Sequence, residues 1–148
     1  AITSGAGDLL LVRCTLSTNL SLAGKASAAY GGGIWQNGGN LRLAESLLHL
    51  NKTAAGAGFE GGAMNQIPGG GAYGGAVSIV TGAIWLTNST LSGNLALGGD
   101  GSSQGNVGSG FGGGVFNSAT LQAVNSTIFG SGTSRGAMER NIASNSCG

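Results

Sequence analysis

The chain has 148 residues, of which 7% are charged and 41% hydrophobic, and its formal net charge is +1. This balance excludes a basic surface for nucleic acid or an anionic membrane, and no apolar run reaches the roughly 20 residues of a membrane-spanning helix. Glycine occurs 32 times without a three-residue period, which excludes collagen, and the apolar content predicts one folded domain over residues 1–148.

One motif recurs four times along the chain, with loops of different length between the copies. The copies are Gly7–Asn19, Gly39–Asn51, Gly82–Asn94 and Ala119–Ser131. They place the repeat units near residues 1–30, 31–73, 74–111 and 112–135, followed by a partial coil at 136–148. Glycine triplets or pairs precede the last three copies and predict corners with positive φ or close backbone approach.

Apolar residues share columns in the aligned copies. One column holds Leu9, Leu41, Ile84 and Leu121, and a second column lies two residues further on. This period of two indicates short strands, and identical columns predict an all-β parallel solenoid of about four to five coils with variable loops. An antiparallel sandwich would show the same alternation, but it gives no reason for the columns to repeat.

Polar residues also fall into columns, for which stacking predicts structural roles. Asn19, Asn51 and Asn94 are expected to form an amide ladder. Arg13 lies above Glu45 on the outside and predicts a cross-coil ion pair. A third column is expected to face inward, where only small side chains fit: Cys14, Ser46, Ser89 and Ser126.

Two short signals resemble the repeats of chlamydial polymorphic outer-membrane proteins and related bacterial surface proteins. The first is Gly32-Gly33-Ile34, repeated as Gly61-Gly62-Ala63-Met64, Gly74-Gly75-Ala76-Val77 and Gly113-Gly114-Val115. The second is Leu16-Ser17-Thr18-Asn19, repeated as Leu48-His49-Leu50-Asn51 and Leu91-Ser92-Gly93-Asn94. Leucine replaces the family's usual phenylalanine, and Ser131 replaces asparagine in the fourth copy. The resemblance implies a right-handed parallel β-helix and a cell-surface or extracellular location.

Catalytic chemistry finds little support among the ionisable residues. The acidic residues are scattered, and none forms a pair suited to acid–base catalysis: Asp8, Glu45, Glu60, Asp100 and Glu139. The single histidine, His49, has no second histidine for metal binding and is expected to point outward. We therefore expect no catalytic, metal or cofactor site, with a polysaccharide-degrading enzyme as a remote alternative.

Two groups of residues point to sugars. Asn19, Asn51, Asn88 and Asn125 begin formal N-glycosylation sequons, although the stacked Asn and Ser/Thr columns would produce some of these by themselves. Trp35, Trp85 and Tyr73 are candidates for stacking on a glycan or a partner, together with Tyr30 and Phe111; the alternative is that they cover apolar surface between coil and loop. A carbohydrate-binding or adhesin-like module, cut from a larger repeat protein, is thus an open alternative.

The two ends of the chain stand at nearly the same phase of the repeat, which predicts head-to-tail stacking into a filament. Cys14 and Cys147 would be separated by about four rises of 4.8 Å in one straight solenoid, beyond the reach of a disulfide. Between stacked copies they would meet, and this predicts an intersubunit bridge; two free thiols are the competing interpretation. The sequence therefore predicts a non-enzymatic structural protein of the cell surface or extracellular matrix whose partner is itself.

Overall fold

The computed structural model describes residues 1–61, 66–102, 106–118 and 120–134. Among these residues it contains short strands and no helix. The predicted partial coil at 136–148 and Cys147 lie outside the described residues.

The strands form four successive coils. The first coil contains β1 (Ile2–Ser4), β2 (Leu9–Val12), β3 (Thr15–Ser17), β4 (Leu20–Leu22) and β5 (Ala29–Tyr30). The second contains β6 (Ile34–Gln36), β7 (Asn40–Ala44), β8 (Leu47–His49), β9 (Lys52–Ala54), β10 (Phe59–Glu60), β11 (Gln66–Ile67) and β12 (Ala72–Tyr73). The third contains β13 (Val77–Ile79), β14 (Ala83–Thr87), β15 (Thr90–Ser92), β16 (Leu95–Leu97) and β17 (Gly110–Phe111). The fourth contains β18 (Val115–Asn117), β19 (Thr120–Val124), β20 (Thr127–Phe129) and β21 (Gly132–Ser134).

Equivalent strands of successive coils pair in parallel and in register. They form sheet A (β1-β6-β13-β18), sheet B (β2-β7-β14-β19), sheet C (β3-β8-β15-β20), sheet D (β4-β9-β16-β21) and the three-stranded sheet E (β5-β12-β17). Leu41, for example, pairs with Leu9 on one side and with Ile84 on the other. The predicted all-β parallel solenoid is confirmed, and the antiparallel sandwich is excluded.

Sheets A, B and C enclose the hydrophobic core, which we call the apolar lobe. Period-two alternation turns one residue in two inward, so the predicted columns become layers of the core. The buried members are Ile34, Leu41, Leu43, Leu48, Ala76, Val77, Ile79, Ile84, Leu86, Leu91, Val115 and Leu121. The equivalent residues of the first coil are only partly buried, because within the described residues they have a packed coil on one side only.

Sheets D and E, with the loops that join them, form a second region that we call the glycine lobe. Its buried side chains are small: Ala29, Thr53, Ala54, Ala72 and Ala96. A short antiparallel hairpin, β10 with β11, branches from this lobe in the second coil. The repeat pattern does not contain this hairpin, and in the described part of the chain it is found in the second coil alone.

A glycine waist, formed by Gly32, Gly75 and Gly113, separates the two lobes. A Cβ on Gly75 would overlap the carbonyl oxygen of Gly113 and the backbone of Leu95, so only glycine allows the two walls of the coil to touch here. The preceding residues, Gly31, Gly74 and Gly112, have φ of +52°, +71° and +59°. The first glycine of each corner thus provides the left-handed turn, and the second provides the close approach.

Candidate functional site

An aromatic stack runs parallel to the solenoid axis on the outside of sheet E. Tyr30, Tyr73 and Phe111 end β5, β12 and β17, and each lies directly before a left-handed glycine. The ring centroids of Tyr30 and Tyr73 are 5.0 Å apart, as are those of Tyr73 and Phe111, with interplanar angles of 12° and 9°. In-register pairing of the three strands therefore places the rings face to face.

Two further rings reach this stack from sheet A, across the glycine corner. Trp35 stacks on Tyr30 with centroids 5.9 Å apart. Phe116 meets Tyr73 edge-on, at 4.9 Å and an interplanar angle of 66°. Trp35 and Phe116 occupy the same outward column, with the small residue Ser78 between them.

Four of these rings, all but that of Phe111, line an open groove with a volume of about 490 Å³, which we call the aromatic groove. Its walls combine aromatic, amide and hydroxyl side chains, and none of them is charged: Tyr30, Trp35, Asn37, Tyr73, Val80, Phe116 and Ser118. These residues come from all four coils, so the groove extends along the solenoid axis.

The structure brings together two of the three aromatic residues that the sequence singled out for stacking on a glycan or partner. Trp35 and Tyr73 both line the groove, whereas Trp85 lies in β14 on sheet B, where the Arg42 guanidinium sits 4.8 Å from its ring centroid. Sequence reasoning missed Phe116. Its signal was its position two residues beyond the last glycine of its corner, in the column of Trp35.

The asparagine column forms an amide ladder at the corner between sheets C and D. The backbone N–H of Asn19 donates to Asn51 Oδ1 at 3.1 Å, and that of Asn51 donates to Asn94 Oδ1 at 2.9 Å. The side-chain amides of Asn19 and Asn51 donate to the same oxygens, at 2.9 Å and 3.0 Å. In the fourth coil Ser131 Oγ accepts from the Asn94 N–H at 3.2 Å, so a hydroxyl continues the ladder.

A second ladder follows the small-residue column at the corner between sheets B and C. The backbone N–H groups of Cys14, Ser46 and Ser89 each donate to the serine hydroxyl of the following coil at 3.1 Å. Each of these serine hydroxyls donates to the carbonyl two residues before it. The column therefore satisfies the backbone of a corner, a role beyond the filling of small spaces that the sequence predicted.

The predicted ion pair between Arg13 and Glu45 is corrected. Both residues belong to the described part of the chain, and no ion pair joins them there. They occupy an exposed corner with φ of 53° and 50°, one residue beyond the paired ends of β2 and β7. At such an exposed site the electrostatic attraction is weak, and it does not offset the side-chain entropy that two long side chains would lose by forming the pair.

The four sequons differ in their surroundings. Asn51 is fully buried, and its Nδ2 donates to the Leu16 carbonyl at 2.9 Å, so the folded chain leaves no room for a glycan there. Asn19 is half-buried and engaged in the ladder. Asn88 and Asn125 are exposed, with φ of 48° and 47°, at the corner that also contains Arg13 and Glu45.

The remaining reactive residues are dispersed. Cys14 is a free, half-buried thiol whose Sγ lies 3.3 Å from the Val12 carbonyl. His49 Nδ1 lies 2.9 Å from Ser92 Oγ on the outside of sheet C. In the described ranges, no three His, Cys, Asp or Glu side chains come together as metal ligands. The same ranges contain no helix long and apolar enough to cross a membrane.

Sheet edges make up the second notable surface. In the described part of the chain, β1 to β4 pair on one side only, with β6 to β9. At this edge Leu20 is 55% exposed and Leu22 is 72% exposed.

Searches against family models, curated proteins and solved structures give no match, so the resemblance to bacterial surface repeats remains a prediction.

Proposed function

We propose that this protein is a non-enzymatic structural β-solenoid of a cell surface or extracellular matrix, and that it associates with itself by adding coil to coil. The observation that carries the proposal is the edge presented by β1, β2, β3 and β4. Within the described residues these four strands pair on one side only, and their other side is a template for a further β-coil.

The side chains of the first coil support this proposal. Leu9, Leu11 and Leu16 face inward, but they are only partly buried, whereas their counterparts in the second coil are fully enclosed. A coil placed over them would remove the remaining apolar surface from water, and because these leucines are already partly buried, each would contribute less than the about 2 kcal/mol of a complete burial.

The two corner ladders define the register of such an addition. In each ladder the backbone N–H of one coil donates to a side-chain oxygen of the next coil. A coil from a second copy, placed before the first coil, would continue both ladders by donating to Cys14 Sγ and to Asn19 Oδ1, the latter in place of the Ala1 N-terminus, which donates to it at 3.0 Å. The low net charge, +1, offers little electrostatic repulsion to this stacking.

Electron microscopy of the purified chain, with matched edge variants, tests the proposal. We expect thin filaments from the wild-type chain, with a subunit repeat of roughly 20 Å for four coils. Leu11→Lys places a charge at the inward side of the edge and should abolish the filaments. Leu10→Lys, on the neighbouring residue that is 62% exposed, should leave them intact. Isolated short rods from the wild-type chain, at all concentrations, would overturn the proposal.

The predicted bridge between Cys14 of one copy and Cys147 of the next has a separate test. Electrophoresis of oxidised filaments without reductant should show a ladder of multimers that reductant collapses to the monomer. Cys147→Ser should remove the ladder and leave the filaments visible in the microscope. Filaments whose gel pattern is the same with and without reductant would show that coil pairing alone joins the copies.

A further inference from the structure

We infer that the aromatic groove binds a neutral, extended saccharide chain that lies parallel to the solenoid axis. The inference is independent of self-association, because the groove lies on the side of the solenoid and the proposed stacking uses its end. It rests on the chemistry of the groove walls, on the direction of the groove and on two buried polar atoms beside it.

The chemistry of the walls matches a sugar. A saccharide has apolar C–H faces and a rim of hydroxyl groups, so it is bound by aromatic rings together with amide and hydroxyl side chains. The groove supplies rings from Trp35, Tyr73 and Phe116, with the exposed Asn37 and Ser118 at its side. Because none of the lining side chains is charged, a sulfated or carboxylated ligand would find no ionic partner, and a neutral one is favoured.

The direction of the groove favours a chain over a single sugar. Its lining residues come from all four coils, and each coil adds about 4.8 Å along the axis. One coil thus spans a length similar to that of one hexose in an extended polymer. Successive sugars would meet successive coils.

The rings of the aromatic stack and of the groove differ in how far their faces are occupied. Tyr30, Tyr73 and Phe111 stack on one another, so their faces are largely occupied. Phe116 stands across the stack, at 66° to Tyr73 and 60° to Phe111. Phe116 is therefore the ring on which we place a sugar.

Two polar atoms beside the groove have no hydrogen-bond partner. They are Trp35 Nε1 and, from the adjacent position of the same column, Ser78 Oγ, and both are buried. An unsatisfied buried donor costs free energy, which is a reason to expect a hydroxyl-bearing ligand at this place. Because both atoms are shielded from solvent, a sugar hydroxyl would reach the indole N–H through a small shift of the Trp35 ring, and the new hydrogen bond would recover part of that cost.

Tryptophan fluorescence can test the inference, because the chain has only two tryptophans. Trp85→Phe leaves Trp35 as the only reporter, within the groove, and Trp35→Phe leaves only Trp85 on sheet B. We expect at least one of cellohexaose, chitohexaose and mannohexaose to shift the emission of the Trp85→Phe chain and to leave that of the Trp35→Phe chain unchanged. Calorimetry on the wild-type chain should then give saturable binding of the same sugar.

Variants of the groove locate the site. Phe116→Ala should weaken the binding about tenfold, the size expected for the loss of one aromatic contact. Asn37→Ala, at an exposed position, covers the case in which Phe116→Ala fails to fold, and it should also weaken binding. Gln122→Ala, on the outer face of sheet B, is the control and should bind like wild type.

Three results would overturn the inference. One is the absence of any fluorescence shift of Trp35 with all three sugars. Another is binding that neither Phe116→Ala nor Asn37→Ala weakens. The third is a shift caused by a proline-rich peptide and by none of the sugars, which would make the groove a peptide site.

Discussion

The two lobes of each coil are closed in opposite ways. The apolar lobe is filled by branched side chains, with Ile34, Leu48 and Ile84 all fully buried. The glycine lobe is closed by small side chains and bare backbone: its buried apolar residues are alanines, such as Ala72 and Ala96, and backbone touches backbone at the waist. The interior of the solenoid is thus filled by large side chains in one lobe and by direct backbone contact in the other.

This difference determines what each lobe tolerates. A core of branched residues relaxes partly around a changed side chain, so the cost of a substitution is graded. Backbone walls in contact have no such freedom, because the atoms that a new Cβ would meet are themselves held in the parallel ladders. The high glycine content is therefore a requirement of packing more than a sign of flexibility.

The largest effect is expected at the waist. Gly75→Ala puts a Cβ against the Gly113 carbonyl and the Leu95 backbone, and we expect a loss of about 4 kcal/mol or more in the free energy of unfolding, or failure to fold. Gly24→Ala, in a glycine-lobe loop with open space around its Cβ, should change stability by less than about 0.5 kcal/mol. Chemical denaturation followed by circular dichroism measures both. A Gly75→Ala chain as stable as Gly24→Ala would refute the close contact.

A smaller and graded loss is expected in the apolar lobe. Leu48→Ala removes a fully buried side chain and should cost about 2 to 5 kcal/mol in chemical denaturation. Leu16→Ala changes the equivalent residue of the first coil, which is half-buried, and should cost clearly less at protein concentrations too low for association. Equal losses under these conditions would mean that the first coil is covered in solution, contrary to the exposed edge described above.

The sequence predicted the apolar lobe well because its alternating pattern can be read within each short segment and recurs in each repeat. Inward columns such as Leu9, Leu41 and Ile84 repeat at every coil, and in-register pairing follows directly from them. The glycine lobe was harder to predict, since its many further glycines follow no regular spacing and, among the described residues, the hairpin of β10 and β11 occurs in the second coil alone. Close approach across the coil could be suspected from the triplets, but its partners are distant in sequence.

The aromatic groove was predictable only in part. An aromatic residue directly precedes each of three glycine corners, as Tyr30, Tyr73 and Phe111, and this regular spacing was a readable signal for the stack. Phe116 and Trp35 belong to a column that also contains Thr3 and Ser78, so no residue type repeats in it. Whether that column reaches the stack depends on the angle of the glycine corner, which the sequence does not specify.

Asn51 lies at the boundary between the two lobes and contacts both. Substitutions there are expected to give the smallest differences in stability. The Asn51 side chain accepts from the Asn19 N–H and donates to the Leu16 carbonyl and to Asn94 Oδ1. Its Cγ lies 3.4 Å from the place that a Cβ would take if Gly33 had one. Asn51→Ala removes the acceptor of the Asn19 N–H and the amide that donates to the Leu16 carbonyl, whereas Asn94 Oδ1 keeps its bond from the backbone N–H of residue 51. We expect a loss of about 2 kcal/mol in the free energy of unfolding.

Asn51→Ser should cost less, about 1 kcal/mol, because a hydroxyl at this corner can still accept from the backbone N–H, as Ser131 does from Asn94 at 3.2 Å. Chemical denaturation of the wild type and the two variants separates the contributions, and hydrogen exchange at the Asn19 amide reports the ladder directly. Faster exchange of that amide in Asn51→Ala than in Asn51→Ser is the expected order. Equal protection in both variants would mean that the parallel sheets hold the corner and that the ladder only follows them.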